Sequence, residues 1–147
     1  MHIHIDLARQ RLTLLDEDQP VFACAISSSF VGPGTEPGSL RTPTGNFAIA
    51  EKYGHDAPIG TVFRSRQPTG ELADPHSPDD QIVTRILWLD GTGPENANTH
   101  SRYIYLHGTN HEEHLGLPAS HGCIRMANAD IADLFPLVDT GTAVLIF

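Results

Sequence analysis

HIHIDL, residues 2 to 7, alternates polar and apolar side chains without a break. Neighbouring side chains on an extended backbone point to opposite faces, so this period of two predicts a half-buried strand with Ile3, Ile5 and Leu7 on one side. The same signal continues outward. RLTLL (11–15) leads into the acidic turn DEDQP (16–20), and VFACAIS (21–27) returns as a third strand, so this part of the chain reads as a β-meander. Further strands are predicted at NFAIAEKYG (46–54), ILWLDG (86–91), RYIYLHG (102–108) and TAVLIF (142–147). In ILWLDG the alternation sends Ile86 and Trp88 one way and Leu87 and Leu89 the other; in RYIYLHG it sets Tyr103 and Tyr105 against Ile104 and Leu106, and the strand ends at His107.

Two stretches interrupt the pattern. GPGTEPGSLRTPTG (32–45) and RQPTGELADPHSPDD (66–80) are too rich in Gly and Pro for regular elements and are expected to be long loops, which in a compact domain usually carry function. Near the C-terminus Asn128 suits an N-cap, Asp130 suits the positive end of a helix dipole, and Ile131, Leu134 and Phe135 keep helical spacing until Pro136. The expected fold is therefore mainly β, a sandwich-like single domain over residues 1–147 with one short helix near the C-terminus.

Composition narrows the partners. A formal charge of -9 and a pI near 5.3 exclude the basic surface that nucleic acid or anionic lipid requires. No run approaches the ~18 apolar residues that span a bilayer, and MHIHIDLARQ has no basic segment followed by an apolar core. A cytoplasmic location is expected on that basis, or a periplasmic one if an export signal has been trimmed. Cys24 lies in an apolar strand, so both it and Cys123 are expected to be free thiols.

The chemistry concentrates in PASHGCIRM (118–126). A thiol attacks a carbonyl as thiolate, and an unassisted cysteine with a pKa of about 8.5 needs a base. His121, two positions upstream, and His107, sixteen upstream at the end of a strand, are the candidates. Gly122 lets the backbone bend around an incoming carbonyl, and its N–H with that of Cys123 suits an oxyanion. Arg125 has the fork geometry that suits a substrate carboxylate. Two other readings stand beside this one. Cys123 between Gly122 and Ile124 also reads as a packing residue, and His107, His111, His114 and Cys123 contain enough ligands for zinc, although HEEHL departs from the HExxH pattern.

HGTN (107–110), Gly116 and SHGCIRM (120–126) together resemble the signature of the L,D-transpeptidase catalytic domain, the YkuD type. RTPTGNFAI (41–49) is similar to that family's TPxG loop entering a strand, and the likeness continues through MANADIADLFPLVDTGTAVLI (126–146). The resemblance implies a β-sandwich of mixed sheets with the cysteine in a cleft under a mobile loop. It implies that Cys123 is the nucleophile and His107 the base, oriented by a carbonyl such as that of Gly108. It also implies that His121 and the N–H groups of Gly122 and Cys123 line the oxyanion site, that Ser120 supports the histidines, and that Arg125 helps to hold a substrate carboxylate.

The implied substrate is a peptidoglycan stem tetrapeptide or muropeptide, cleaved between its third residue, usually diaminopimelate, and the terminal D-alanine through a thioester, without cofactor or metal. An amine resolving the thioester gives a 3-3 cross-link; water makes the enzyme an L,D-carboxypeptidase. Carbapenems are expected to acylate the same thiol. The absence of a visible export signal, and the acidic, histidine-rich segment NHEEHLGLPA (110–119), favour hydrolysis during peptidoglycan recycling in the cytoplasm. The runner-up is an exported cross-linking transpeptidase. A peptidoglycan-binding module without catalysis, or with zinc on Cys123, is the reading from another class.

Overall fold

The computed structural model describes all residues from 1 to 147. Ten strands are formed in chain order: β1 (His2–Asp6), β2 (Arg11–Asp16), β3 (Gln19–Ser27), β4 (Gly45–Tyr53), β5 (Thr61–Arg64), β6 (Gln67–Leu72), β7 (Ile82–Gly91), β8 (Tyr105–Thr109), β9 (Ile124–Met126) and β10 (Ala143–Ile146). One α-helix, α1 (Asn128–Leu134), follows β9 and gives way to a 3-10 turn containing Pro136. Their order is β4-β10-β1-β2-β3-β9-β8-β7-β5-β6, and β4 also pairs with β7, so the sheet curls back and closes on itself, leaving β5 and β6 outside the ring. The β1–β10 and β8–β9 pairs are parallel and the others antiparallel, which makes the sheet mixed. No helix is long and apolar enough to cross a membrane.

Alternation decides what the ring encloses. Ile3 and Ile5, Leu12 and Leu14, Phe47 and Ile49, and Leu87 and Leu89 point inward to one large core, which Ile131 and Leu134 of α1 join. Their partners on β7 and β8 point outward, where Ile86, Trp88 and Tyr105 form a second cluster with Phe63. Strands apolar on both faces need a second covering layer. The β5–β6 hairpin supplies Phe63 to it.

Three expectations are corrected. Residues 67–72 form β6 within the stretch expected to be loop. Exposed along nearly its whole length and carrying Pro68 and Gly70, this edge strand has no apolar alternation to betray it. The strand expected from Arg102 begins only at Tyr105, because His100–Arg102 make a 3-10 turn and Tyr103 closes it in the left-handed region, at φ 56°. The N-cap of α1 is Ala127, and Asn128 is the first helical residue. Asn128 uses its amide elsewhere, accepting from Thr84 Oγ1 (2.7 Å) and donating to Thr109 O (2.9 Å) and Glu112 Oε1 (2.6 Å).

Candidate active site

The outer face of the sheet orders the chemistry into two rows. Residues opposite one another on paired strands share a face. Register places Glu51, Trp88 and Tyr105 side by side, and Tyr53, Ile86, His107 and Arg125 in the next row. Cys123, one residue before β9, continues the first row beside Tyr105. Cys123, at the entry to β9, and His107, on β8, thus stand diagonally on neighbouring strands.

His107 is 1% exposed, and its Nδ1 lies 2.6 Å from the carbonyl oxygen of Gly108. A carbonyl can only accept, so Nδ1 carries the proton and Nε2 keeps its lone pair. Burial holds the imidazole below its usual pKa, opposed by the carboxylate of Asp80 and by the bond to Gly108, while Arg125 acts in the same direction as burial. Gly108 has little freedom: a Cβ there would collide with Asn128 Oδ1 and come 2.6 Å from the carbonyl oxygen of Val83.

Cys123 Sγ receives the main-chain N–H of Tyr105 at 3.4 Å and donates to the carbonyl of Tyr103 at 3.3 Å. The left-handed turn at Tyr103 is therefore part of the site. Burial pushes the thiol up to about 11, with Asp80 adding to the rise and the Tyr105 N–H, Arg125 and Arg102 opposing it. Both shifts favour a thiol and a neutral imidazole at rest. Alkylation of Cys123 by iodoacetamide, followed by peptide mass spectrometry, is expected to accelerate with pH up to about 11. Thiolate is the reactive form, so the rate should rise about tenfold per unit below that value. A rate already level at pH 8 would mean a thiolate–imidazolium pair and overturn this assignment.

The turn before Cys123 is braced from within. Ser120 Oγ accepts the N–H of Gly122 (3.2 Å) and donates to the carbonyl of Cys123 (2.6 Å), while Thr42 Oγ1 donates to the carbonyl of Gly122 (2.9 Å). Gly122 has φ 128°, a conformation costly for other residues. Ser120 makes no hydrogen bond to a histidine, contrary to expectation; it shapes the loop. The Gly122 N–H is spent inside the turn, whereas that of Cys123 has no acceptor within the chain. His121 is exposed, with its ring edge-on to Phe30 at 5.7 Å.

Arg125 also departs from expectation. It is 2% exposed and pairs with Asp80 at 2.9 Å, so its guanidinium holds a carboxylate of this chain. Asp80 lies in a stretch without periodicity, and nothing in the sequence singles it out. Asn110 brings it there, donating to the carbonyls of Asp74 (2.9 Å) and Asp79 (3.0 Å) and accepting the N–H of Gln81 (2.9 Å). His111 adds a bond to the carbonyl of Ser77 at 2.7 Å. His114 turns toward Arg125, at 3.5 Å, so the four residues weighed as a zinc set do not converge.

Sequence reasoning also missed the aromatic floor beside the thiol. Trp88 stacks on His100 (3.8 Å) and Tyr103 (5.6 Å) and meets Tyr105 edge-on (5.5 Å). Next to it a cleft of about 580 Å³ runs between the 53–61 turn and the β5–β6 hairpin, with Tyr53, Phe63 and Arg66 in its wall. Cys123 does not line this cleft. The two are joined through Phe63, which shares a cluster with Cys123.

Residues 1–146 match the L,D-transpeptidase catalytic domain (YkuD) family. The Bacillus subtilis protein YqjB, named as an L,D-transpeptidase, is 34% identical over 105 residues, 71% of this chain and 51% of its own length. YbiS of Escherichia coli K12, likewise named, is 44% identical over 70 residues, 48% of this chain and 19% of its own. The chain therefore spans about half of the first relative and a fifth of the second. Among solved structures, the catalytic domain of an Enterococcus faecium L,D-transpeptidase superposes with a TM-score of 0.61 at 19% identity, covering 99% of this chain and 95% of that one. L,D-transpeptidase 3 of Mycobacterium tuberculosis, solved with a faropenem-derived adduct, gives 0.62 at 17% identity, covering 98% and 58%. At these identities the superpositions establish the shared fold.

Proposed function

Because the chain belongs to the L,D-transpeptidase catalytic-domain family, we propose that it is a cysteine acyl-enzyme acting on the peptide stems of peptidoglycan. The observation that carries this reading is the placement of Cys123 and His107 on adjacent strands with the tautomer of His107 set by Gly108. Nε2 of His107 takes the thiol proton as sulfur adds to the carbonyl of the third stem residue, and the N–H of Cys123 faces the oxygen that gains charge. Collapse breaks the bond to the terminal D-alanine, whose amine leaves with the proton from His107. Water then adds to the thioester, gives its proton to His107 and releases the tripeptide with the thiol restored.

Hydrolysis of soluble tetrapeptides, in cytoplasmic recycling, is the outcome we favour; the acidic Glu112–His114 turn beside the site motivates it. The names of the relatives favour the runner-up, resolution by an amine to make a 3-3 cross-link in the wall. Incubation with a disaccharide tetrapeptide separates them. Tripeptide alone is the expected product, and substantial tetrapeptide–tripeptide dimer would replace hydrolysis with cross-linking. Meropenem is expected to leave a single adduct on Cys123 by mass spectrometry, as the faropenem adduct of the mycobacterial relative suggests.

A further inference from the structure

In this acidic chain most guanidinium groups are spent internally. Arg64 and Arg125 pair with Glu71 and Asp80, and Arg85 and Arg102 donate to main-chain carbonyls. Arg66 does neither. Its guanidinium lies over the ring of Trp88, 4.7 Å from the centroid, and Nη1 donates to the hydroxyl of Tyr105 at 3.1 Å. Tyr105 is the residue whose main-chain N–H contacts Cys123 Sγ. One residue therefore touches the thiol at its backbone and Arg66 at its far end. Glu51, on the same row, feels the charge of Arg66 but forms no ion pair with it; its oxygens receive Tyr53 Oη (2.7 Å) and face His100 Nε2 (2.8 Å).

The backbone beneath Arg66 is a second, independent observation. Arg64 pairs with Gln67, so Ser65 and Arg66 form a two-residue hairpin loop, and both have positive φ, 48° and 63°. Such a loop is met without strain by Asn-Gly, and β-carbon-bearing residues in this region are uncommon. Strain of this kind persists where the surrounding structure fixes it, and it clusters at ligand-binding sites. The strained position is the one that delivers a cation to the wall of the cleft and to the aromatic floor.

We propose that Arg66 is a specificity-determining residue that binds a carboxylate of the acyl donor and so selects acidic peptides for Cys123. The proposal rests on the acyl-transfer reading above. The planar fork, placed over Trp88 and fixed at one nitrogen by Tyr105, keeps its remaining N–H groups for a carboxylate in bidentate geometry. Two carboxylates of a tetrapeptide qualify: that on the side chain of the residue supplying the scissile carbonyl, and that of the C-terminal residue.

Trp88 is the single tryptophan, so its fluorescence reports this site directly. Cys123→Ala protein is titrated with three tetrapeptides: one with both carboxylates free, one amidated on the side chain of residue 3, and one amidated at the C-terminus. One amide is expected to bind about tenfold more weakly than the free acid, the scale of a charge-assisted hydrogen bond, and identifies the carboxylate read. Arg66→Gly is expected to erase that difference without lowering Tm, since glycine relieves the turn. Equal binding of all three peptides, no binding of any, or a preference that survives Arg66→Gly would each overturn the proposal. Parallel assays by protein retaining Cys123, reading release of D-alanine, or of D-alaninamide from the C-terminal amide, keep the two readings apart. Preferential binding with no release sinks acyl transfer and leaves Arg66, whereas equal release from acid and amides sinks Arg66 and leaves acyl transfer.

Discussion

On the proposed acyl-transfer reading, Cys123→Ala is expected to abolish release of D-alanine and formation of any carbapenem adduct, and His107→Ala to lower kcat by about 10³-fold or more with little change in KM. These expectations follow from how the pair works as a unit. Burial pushes the thiol up to about 11, so at neutral pH the protonated form dominates. The base must therefore act at the moment of attack, and a loss of 10³-fold corresponds to about 4 kcal/mol of barrier. Residues acting as a unit are far from additive, so the double variant is expected to be no slower than Cys123→Ala alone. Burst and steady-state assays of D-alanine release measure both. Residual turnover in Cys123→Ala would transfer the nucleophile's role elsewhere, whereas unimpaired peptide binding by that variant without turnover accords with it. If the Cys123 protein itself binds stem peptides but never releases D-alanine, the binding-module reading takes over.

Asp80→Ala is expected to cost about 3 kcal/mol of stability, because it strands a charge inside the protein. Arg125 is 2% exposed, its Nε has no partner, and Asp80 at 2.9 Å is its carboxylate. For a chain of this size that loss lowers Tm by roughly 6–12 °C. Removing the orphaned charge as well, in Asp80→Ala/Arg125→Met, is expected to recover most of the loss, since an apolar side chain of similar volume does not require a counter-ion. Thermal denaturation of the two variants decides it. Equal destabilisation in both would place the cost in the 74–81 loop instead of in the ion pair.

The division of labour between sequence and structure follows from where information is local. Alternation along β7 assigns Leu87 and Leu89 to one core and Ile86 and Trp88 to the other, because a strand's two faces are written into consecutive residues. HG and SHGC likewise sit in short runs whose spacing is visible. Asp80 and Arg66 belong to segments without a period, and they meet Arg125 and Tyr105 across 45 and 39 positions. Asn128 looked like a cap because its residue type fits one; tertiary bonds to Thr84, Thr109 and Glu112 claimed its amide instead. Tyr103 kept the alternation of a strand while the 3-10 turn before it bent the chain away, a choice that local propensity does not record.

The closure of the sheet also has a temporal consequence. The strand leading from Cys123, β9, lies between β3 and β8, and its pairing with β3 sets Ser27 opposite Arg125, 98 residues apart. The ring itself is completed only when β10 slots between β1 and β4. Pairings this distant along the chain carry a loop-closure cost before they return any stabilisation, and topologies dominated by them fold in milliseconds to seconds. The walls around Cys123 come together by the same non-local route. Until then it is an ordinary thiol on an open chain, so the raised pKa that slows its oxidation or alkylation at neutral pH is acquired only with the finished fold.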